Sequence, residues 1–138
     1  MKFMGIDYGA ARTGISISDE TGQLAGTPIV VTEWNQDKLL DKLSALALEH
    51  RVDEIVIGYP KNMDGSIGER AEQSAALADA LHQKMGIPVV LWDERRTTIA
   101  AHQILHNNGK REKKHRQIID AVAAAIILQN YLDFKNRQ

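Results

Sequence analysis

The sequence predicts an α/β fold in which a mixed five-stranded sheet carries helices on both faces. Two short apolar runs, at residues 2–9 and 53–58, are typical of strands that are covered on both sides. Two further strands follow the first run as a meander, and segments with helical periodicity separate the later strands. The predicted order is strand, strand, strand, helix, strand, helix, strand, helix, helix, which favours helices packed on a mixed sheet.

Length and composition limit the class of protein. The 138 residues suit one domain, 1–138, with one core, and are too few for the two lobes of a bilobal enzyme. The chain is 43% hydrophobic and 25% charged, and it has no apolar run near the roughly 20 residues that span a bilayer. It has no cysteine and no signal-peptide pattern at its start. These features predict a soluble cytoplasmic protein without a membrane role.

The first half of the chain predicts the meander and one helix. Residues 14–18 alternate apolar and small polar side chains, as in a half-exposed strand that pairs with the first one. Pro28 lies in the predicted third strand, 24–31, and cannot donate to a ladder, which places that strand at a sheet edge. Asn35 is the predicted N-cap of a helix with apolar residues at helical spacing.

The second half alternates helices and strands. Ser66 and Glu69 have the spacing of a capping box, which predicts a helix start, and Gly86 is the predicted end of that helix. The remaining pattern predicts, in order, a strand at 87–92, a helix from Thr97 or Thr98 to about 109, a flexible loop at 110–116 and a final helix at 117–134.

Asp7 is the first candidate functional residue. Strand alternation puts it on the same face as Phe3 and Gly5, where an unpaired charge would be costly to bury. It therefore either leaves the core at the strand end, as a turn residue, or meets a cation or hydrogen-bond donors. The first, fourth and fifth strands can run parallel, so their carboxyl ends share one edge, at which residues 59–61 and 93–95 would face Asp7.

Asp120 is a second candidate, because it is an acid on a nearly all-apolar helix. One interpretation is a first-turn acid that is stabilised by the helix dipole and paired with Arg116. The other is a carboxylate that converges with those at the sheet edge.

Convergence of three carboxylates requires a neutralising partner. Two unit charges ~5 Å apart at an effective dielectric of ~20 repel by roughly 3 kcal/mol, and three such pairs approach the ~5–15 kcal/mol that stabilises a domain. Either a proton is retained or a divalent metal binds, and an all-oxygen site favours Mg²⁺ or Mn²⁺ over Zn²⁺. His102 and His106, four residues apart, are a weaker zinc alternative.

The segment 110–116 is strongly basic. Its net charge is +4 with His neutral, which leaves −5 on the rest of a chain whose total is −1. This asymmetry predicts either a local anion site or a solvated loop. Carboxylates holding a metal beside a basic loop suit phosphodiester hydrolysis, with the loop holding flanking phosphates.

Four motifs are spaced along the chain: GIDYG at 5–9, GYPKNMDG at 58–65, DER at 93–95 with Thr97, and DAVAA at 120–124. Together they resemble the YqgF family of nucleases, also called RuvX. The resemblance spans essentially the whole chain and implies a ribonuclease-H-like fold, related to Holliday-junction resolvases. It also implies a role in maturing the 5′ end of the small-subunit ribosomal RNA precursor. Tyr59 stands where the family commonly has Leu.

The resemblance also assigns roles to residues. Asp7, Glu94 and Asp120 would be the catalytic acids and would hold Mg²⁺ or Mn²⁺, and residues 62–65 would shape the rim of the site. The predicted nucleic-acid-binding residues are Lys61, Arg95, Lys110, Arg111, Lys113, Lys114 and Arg116. The expected partner is structured RNA or branched DNA, and the expected state is a monomer or homodimer.

Several alternatives stay open on the sequence alone. Branched-DNA resolution and RNA binding without catalysis are two of them. Residues 7–14 also resemble the first phosphate loop of sugar-kinase-type ATPases, which need a second lobe. Arg95 and Arg96 either clamp phosphate or pair with the neighbouring acids. Trp34 and Trp92 are predicted to pack rather than to stack on bases.

Overall fold

The computed structural model describes residues 1–60, 64–93 and 112–137, and in the last range it describes side chains from residue 122 onward. Its elements are β1 (Phe3–Asp7), β2 (Arg12–Ile17), β3 (Ile29–Thr32), α1 (Gln36–Glu49), β4 (Glu54–Tyr59), α2 (Glu69–Met85), β5 (Val89–Asp93) and α3 (Glu112–Asn136).

The strands form one mixed five-stranded sheet, as predicted. Its order is β3-β2-β1-β4-β5 in the described part of the chain. β4 pairs in parallel with both β1 and β5, whereas β2 is antiparallel to β1 and to β3. The carboxyl ends of β1, β4 and β5 therefore lie at one edge of the sheet.

The third strand lies at the end of this order, which confirms the prediction made from Pro28. It is shorter than predicted and begins at Ile29, directly after the proline. Before it, the chain makes only an isolated bridge between Ser18 and Ala25. Pro28 has no N–H to donate, so regular pairing starts after it.

The two faces of the sheet carry separate cores. Met4 and Ile6 of β1 belong to the cluster formed with α1 and α2, while Phe3 belongs to the cluster formed with α3. The alternation predicted for the first strand is thus confirmed. The α3 cluster comprises Phe3, Val56, Ile127, Leu128, Tyr131 and Leu132.

Strand β2 is more buried than predicted. Residues 13–16 are all buried, although the alternating pattern suggested one exposed face. The polar side chain of Ser16 is satisfied internally, because its hydroxyl donates to the Gly26 carbonyl at 2.9 Å. Since α3 packs across β2 as well as β1, the face that the sequence leaves polar is covered by a helix from the end of the chain.

Two of the three predicted helix boundaries before β5 are confirmed. The Asn35 side chain accepts from the Lys38 N–H at 3.0 Å and caps α1. Gly86 ends α2 with a left-handed φ of 73°. The capping box at Ser66 is wrong, because the N-cap of α2 is Gly68 and the Ser66 hydroxyl donates instead to Asp64 at 2.7 Å.

Helix α3 is longer than predicted. It is helical from Glu112, so the expected loop at 110–116 is wrong for residues 112–116 and the expected start at Gln117 is five residues late. Lys and Arg are good helix formers, and their charge alone does not indicate a loop. The predicted helix at 97–109 lies outside the described residues.

Among the described helices, none combines the length and apolarity needed to cross a membrane.

A buried acid fixes the carboxyl-terminal part of α3 to the sheet. The Tyr131 hydroxyl donates to the carboxylate of Glu54, which is only 6% exposed, and Lys135 Nζ lies 3.5 Å from the other carboxylate oxygen. The Tyr131 ring also makes edge contacts with Phe3 and Trp92. Burial, together with the hydrogen bond to Glu54 and its negative charge, raises the pKa of Tyr131.

This raised pKa predicts a loss of stability at high pH. An unfolded tyrosine titrates near pH 10, whereas folded Tyr131 keeps its proton to a higher pH, so the stabilisation is complete below pH 10 and falls as pH rises toward the folded pKa. Denaturant unfolding from pH 8 to 11 should show this decline. Tyr131→Phe should flatten it relative to the natural chain, and an identical slope in the two proteins would contradict the assignment.

Candidate active site

Asp7 lies at the carboxyl end of β1, on the α3 face, and is 9% exposed. It pairs with Gly14 of β2. The β1–β4 register reaches Ile6 and Ile57, so the next β4 position is Gly58, which pairs with Trp92 of β5. Both cross-strand neighbours of Asp7 are thus glycines, and neither adds a side chain beside the carboxylate on this face.

The distance of α3 from β1 is set at Gly5. A Cβ added to this residue would lie 2.7 Å from the Leu128 Cβ and 3.1 Å from the Ala124 carbonyl oxygen. Real Cβ atoms are not found so close, so only glycine permits this approach of helix and strand. The residue that brings α3 close is therefore two positions before Asp7 on the same face of the strand.

The backbone places position 120 at about the same height along the strand direction as Asp7. From Gly5 to Asp7 the strand rises about 6.6 Å, and from Ala124 back to position 120 the helix rises about 6 Å. Phe3 contacts Tyr131 while Gly5 meets Ala124 and Leu128, so α3 runs antiparallel to β1. Positions 120 and 124, four apart, share one stripe of the helix.

Asp120 is not a first-turn acid. With α3 helical from Glu112, it is at least the ninth helical residue, beyond the first turn in which the helix dipole stabilises acids. The alternative based on the dipole is therefore wrong. The Asp120 side chain lies outside the described residues, so its predicted convergence with Asp7 stays a prediction.

The neighbouring acid on β5 belongs to the other face. Val90 and Trp92 pack against the α3 cluster, so alternation puts Asp93 on the face opposite Asp7, although the two residues end strands at the same edge. The described side chains contain no group of three or more His, Cys, Asp or Glu that could hold a metal. The described ranges exclude Lys61, Glu94, Arg95, His102, His106, Lys110 and Arg111 entirely and the side chains of Lys113, Lys114 and Arg116.

The rim predicted from residues 62–65 is described from Asp64 onward. The Asp64 carboxylate accepts from the backbone N–H of Ser66 at 2.9 Å and from its hydroxyl. These two hydrogen bonds lower the pKa of Asp64, with the hydroxyl making the larger contribution. Asp64 is therefore ionised at neutral pH and holds the end of the loop before α2.

Two features at this edge were missed by the sequence patterns. Trp34 is 78% exposed, so the prediction that it packs is wrong, whereas Trp92 does pack, 5.4 Å from Tyr131 and 5.3 Å from Phe134 between ring centroids. In addition, the Gln36 amide donates to the hydroxyl of Tyr8, the residue after Asp7. Neither Trp34 nor Gln36 belongs to a recognisable motif, and only the fold brings them to this edge.

The comparison with known families agrees with this architecture. The model of the family described as "RuvX: Holliday junction resolvase" matches residues 1–134. The chain belongs to the RuvX family. A relative from Geobacillus kaustophilus is 44% identical, over 98% of this chain and 99% of the relative. One from Listeria monocytogenes serotype 4b is 43% identical, over 99% and 100%. Both bear the name "Putative pre-16S rRNA nuclease".

A solved structure shows the same fold at low sequence identity. The Thermus thermophilus RuvC in complex with a Holliday junction substrate matches with a TM-score of 0.65 at 13% identity, covering 100% of this chain and 97% of RuvC. The ribonuclease-H-like fold implied by the family resemblance is thereby confirmed. At this identity the likeness concerns the fold and not the individual residues.

The contact at Gly5 predicts that Gly5→Ala lowers nuclease activity by displacing α3. Overpacking of this kind costs about 1–3 kcal/mol of folding free energy, and it moves the helix that carries position 120 away from β1. Ile127→Val is the matched control, because it removes one buried methyl from the same helix at a cost of ~0.5–1.5 kcal/mol without pushing the helix outward. Cleavage rates should be compared at temperatures at which both variants are fully folded. Equal rates would show that the helix spacing does not matter for the site.

Proposed function

We propose that this protein is a nuclease that hydrolyses phosphodiester bonds in the precursor of 16S ribosomal RNA, at its 5′ end, in the cytoplasm. One domain, 1–138, would carry the activity. The observation that supports this most is the location of Asp7, a buried carboxylate at the edge where the carboxyl ends of β1, β4 and β5 lie. Helix α3 packs on the same face of the sheet and brings position 120 to about the same height along the strand direction as Asp7. Membership of the RuvX family and the names of its relatives agree with the proposal.

A divalent metal fits the donors at this edge. Asp7 supplies carboxylate oxygens between two glycine positions, and the further acids of the proposal, Glu94 and Asp120, add only oxygen. Such a set suits Mg²⁺ or Mn²⁺, and the absence of cysteine in the sequence disfavours a thiolate zinc site. When bound, the metal would lower the pKa of the attacking water and stabilise charge on the leaving oxygen.

The residues of the chain itself would position the catalytic acids and supply the positive charges that bind phosphate. β1 holds Asp7 at the end of a strand whose residues are all buried, so a rigid element would position this carboxylate at the edge of the sheet. Lys113, Lys114 and Arg116 stand in the first turns of α3, in the same helix as Asp120, so one rigid element would carry both a catalytic acid and phosphate-binding cations. Lys61, Arg95, Lys110 and Arg111 complete the proposed nucleic-acid contacts.

The proposal predicts that Asp7→Asn abolishes cleavage while the fold is retained. Loss of this charge should reduce the rate by at least about a hundredfold, comparable to loss of one group that stabilises a transition state, and should weaken Mn²⁺ binding in calorimetry. Asp93→Asn is the matched control, since Asp93 ends a strand at the same edge but belongs to the opposite face. If Asp7→Asn keeps full activity and Mn²⁺ affinity, Asp7 is only a turn residue.

The substrate is tested by comparing two nucleic acids. Purified protein with Mg²⁺ or Mn²⁺ is incubated with labelled ribosomal RNA precursor and with a four-way DNA junction, beside Glu94→Gln as the inactive control. Cleavage of the RNA at the 5′ end supports the proposal. Cleavage of the junction alone would make the protein a resolvase, and cleavage of neither would favour a protein that binds RNA or nucleotide without catalysis.

The basic segment predicts a strong salt dependence of binding. If residues 110–116 neutralise about four phosphates, raising the salt from ~50 to ~200 mM should weaken the affinity on the order of a hundredfold for a duplex-like charge density. Replacing Lys110, Arg111, Lys113 and Lys114 by Ala should flatten this slope in fluorescence anisotropy.

The control for that experiment removes lysines from elsewhere on the chain. Lys2, at the amino end of β1, and Lys84, which pairs with Asp41 at 2.8 Å near the end of α2, lie toward the opposite edge of the sheet. Their replacement by Ala should leave the slope unchanged. A similar loss of slope in both variants would mean that binding follows overall charge and not the basic segment.

A further inference from the structure

Trp34 is an exposed aromatic side chain on a fixed backbone. It lies between the end of β3 and the start of α1, and 78% of it is accessible to solvent. The backbone N–H of Glu33 donates to the Ala11 carbonyl at 2.9 Å, and Asn35 caps α1. The residues on both sides of Trp34 are thus held in place while its indole ring faces water.

The Glu33 carboxylate adds to this rigidity. One oxygen accepts from the Asn35 N–H at 3.2 Å and the other is 2.9 Å from Lys42 Nζ. The Lys42 contact, followed by the Asn35 hydrogen bond, lowers the pKa of Glu33, so the carboxylate is ionised at neutral pH. A loop braced in this way loses little conformational entropy when its exposed ring meets a ligand.

The position of Trp34 connects it to the edge that carries Asp7. β3 runs parallel to β1 two strands away, at a lateral distance of about 10 Å, so both strands end at this edge. Ala11, which receives the Glu33 hydrogen bond, lies in the turn that follows Asp7 and joins β1 to β2. Gln36, two residues after Trp34, donates to Tyr8. A nucleic-acid strand that passes Asp7 would reach Trp34 within a few nucleotides.

We propose that Trp34 is a stacking platform for an unpaired base of the nucleic-acid substrate, a few nucleotides from the bond at Asp7. This deepens the proposed function and rests on it. Aromatic side chains bind bases through their π faces, whatever the sequence, and single-stranded RNA is recognised largely in this way. The continuity of this surface with the edge that carries Asp7 favours a base over an apolar protein segment as the partner.

The test compares affinities for two RNAs of equal length, one with a single-stranded flank and one fully paired. Binding is measured by anisotropy in the Asp7→Asn background, which prevents cleavage during the measurement. Trp34→Ala should weaken binding of the flanked RNA roughly 5- to 150-fold, the effect of one lost base stack, and should affect the paired RNA much less. Trp34→Phe should restore most of the affinity because its ring also stacks.

Leu48→Ala is the matched control. Leu48 is another exposed apolar residue, at 72%, but it lies near the carboxyl end of α1, toward the opposite edge of the sheet. Its replacement should leave both affinities unchanged. The flanked RNA should also quench the fluorescence of Trp34, while the residual emission of Trp92 in Trp34→Phe should not respond, since Trp92 is packed against Tyr131 and Phe134.

The outcomes separate this inference from the proposed function. Unchanged affinity of Trp34→Ala for the flanked RNA, or an equal loss for both RNAs, would overturn the stacking role even if the natural chain cleaves the precursor. Selective loss with the flanked RNA would support stacking even if the natural chain cleaves neither substrate, in which case the nuclease proposal alone would fail.

Discussion

The contact between α3 and β1 at Gly5 is the constraint on which the proposed site depends. Close packing leaves no space for a methyl group there, because the added carbon would stand 2.7 Å from Leu128. The helix is therefore held against the strand only two residues from Asp7. Any displacement at this point would change the separation of the strand that carries one acid from the helix that carries another.

A second group of contacts fixes the helix farther along. The Gln129 side chain accepts from the Ala25 N–H and donates to the Gln23 carbonyl, each at 2.9 Å, which ties α3 to the connection between β2 and β3. Tyr131 reaches Glu54 at the start of β4. Polar contacts near the carboxyl end of α3 and apolar packing at Leu128 together fix the position of this helix on the sheet. The basic first turns of α3 therefore extend from a fixed element.

The site edge is built from parts that are distant in sequence. Parallel pairing of β1 with β4, and of β4 with β5, brings three strand ends together, and the register puts glycines on both sides of Asp7. The same topology carries β3 to this edge and so displays Trp34 there. A chain of this length thereby places a buried acid and an exposed aromatic ring at the same edge of one sheet.

The sequence by itself determined the features that arise from local patterns. Alternation in residues 3–8 assigned Asp7 to its face, Pro28 predicted an edge strand, and Asn35 and Gly86 were correct boundaries, because each depends on backbone chemistry within a few residues. Tertiary structure determined the features that do not follow from local sequence patterns. It buried the polar face of β2 beneath α3 and exposed Trp34, because both outcomes depend on which distant segment covers a residue. The helical start of α3 belongs to the same group, since the charge of residues 112–116 predicts a loop and a helix equally well.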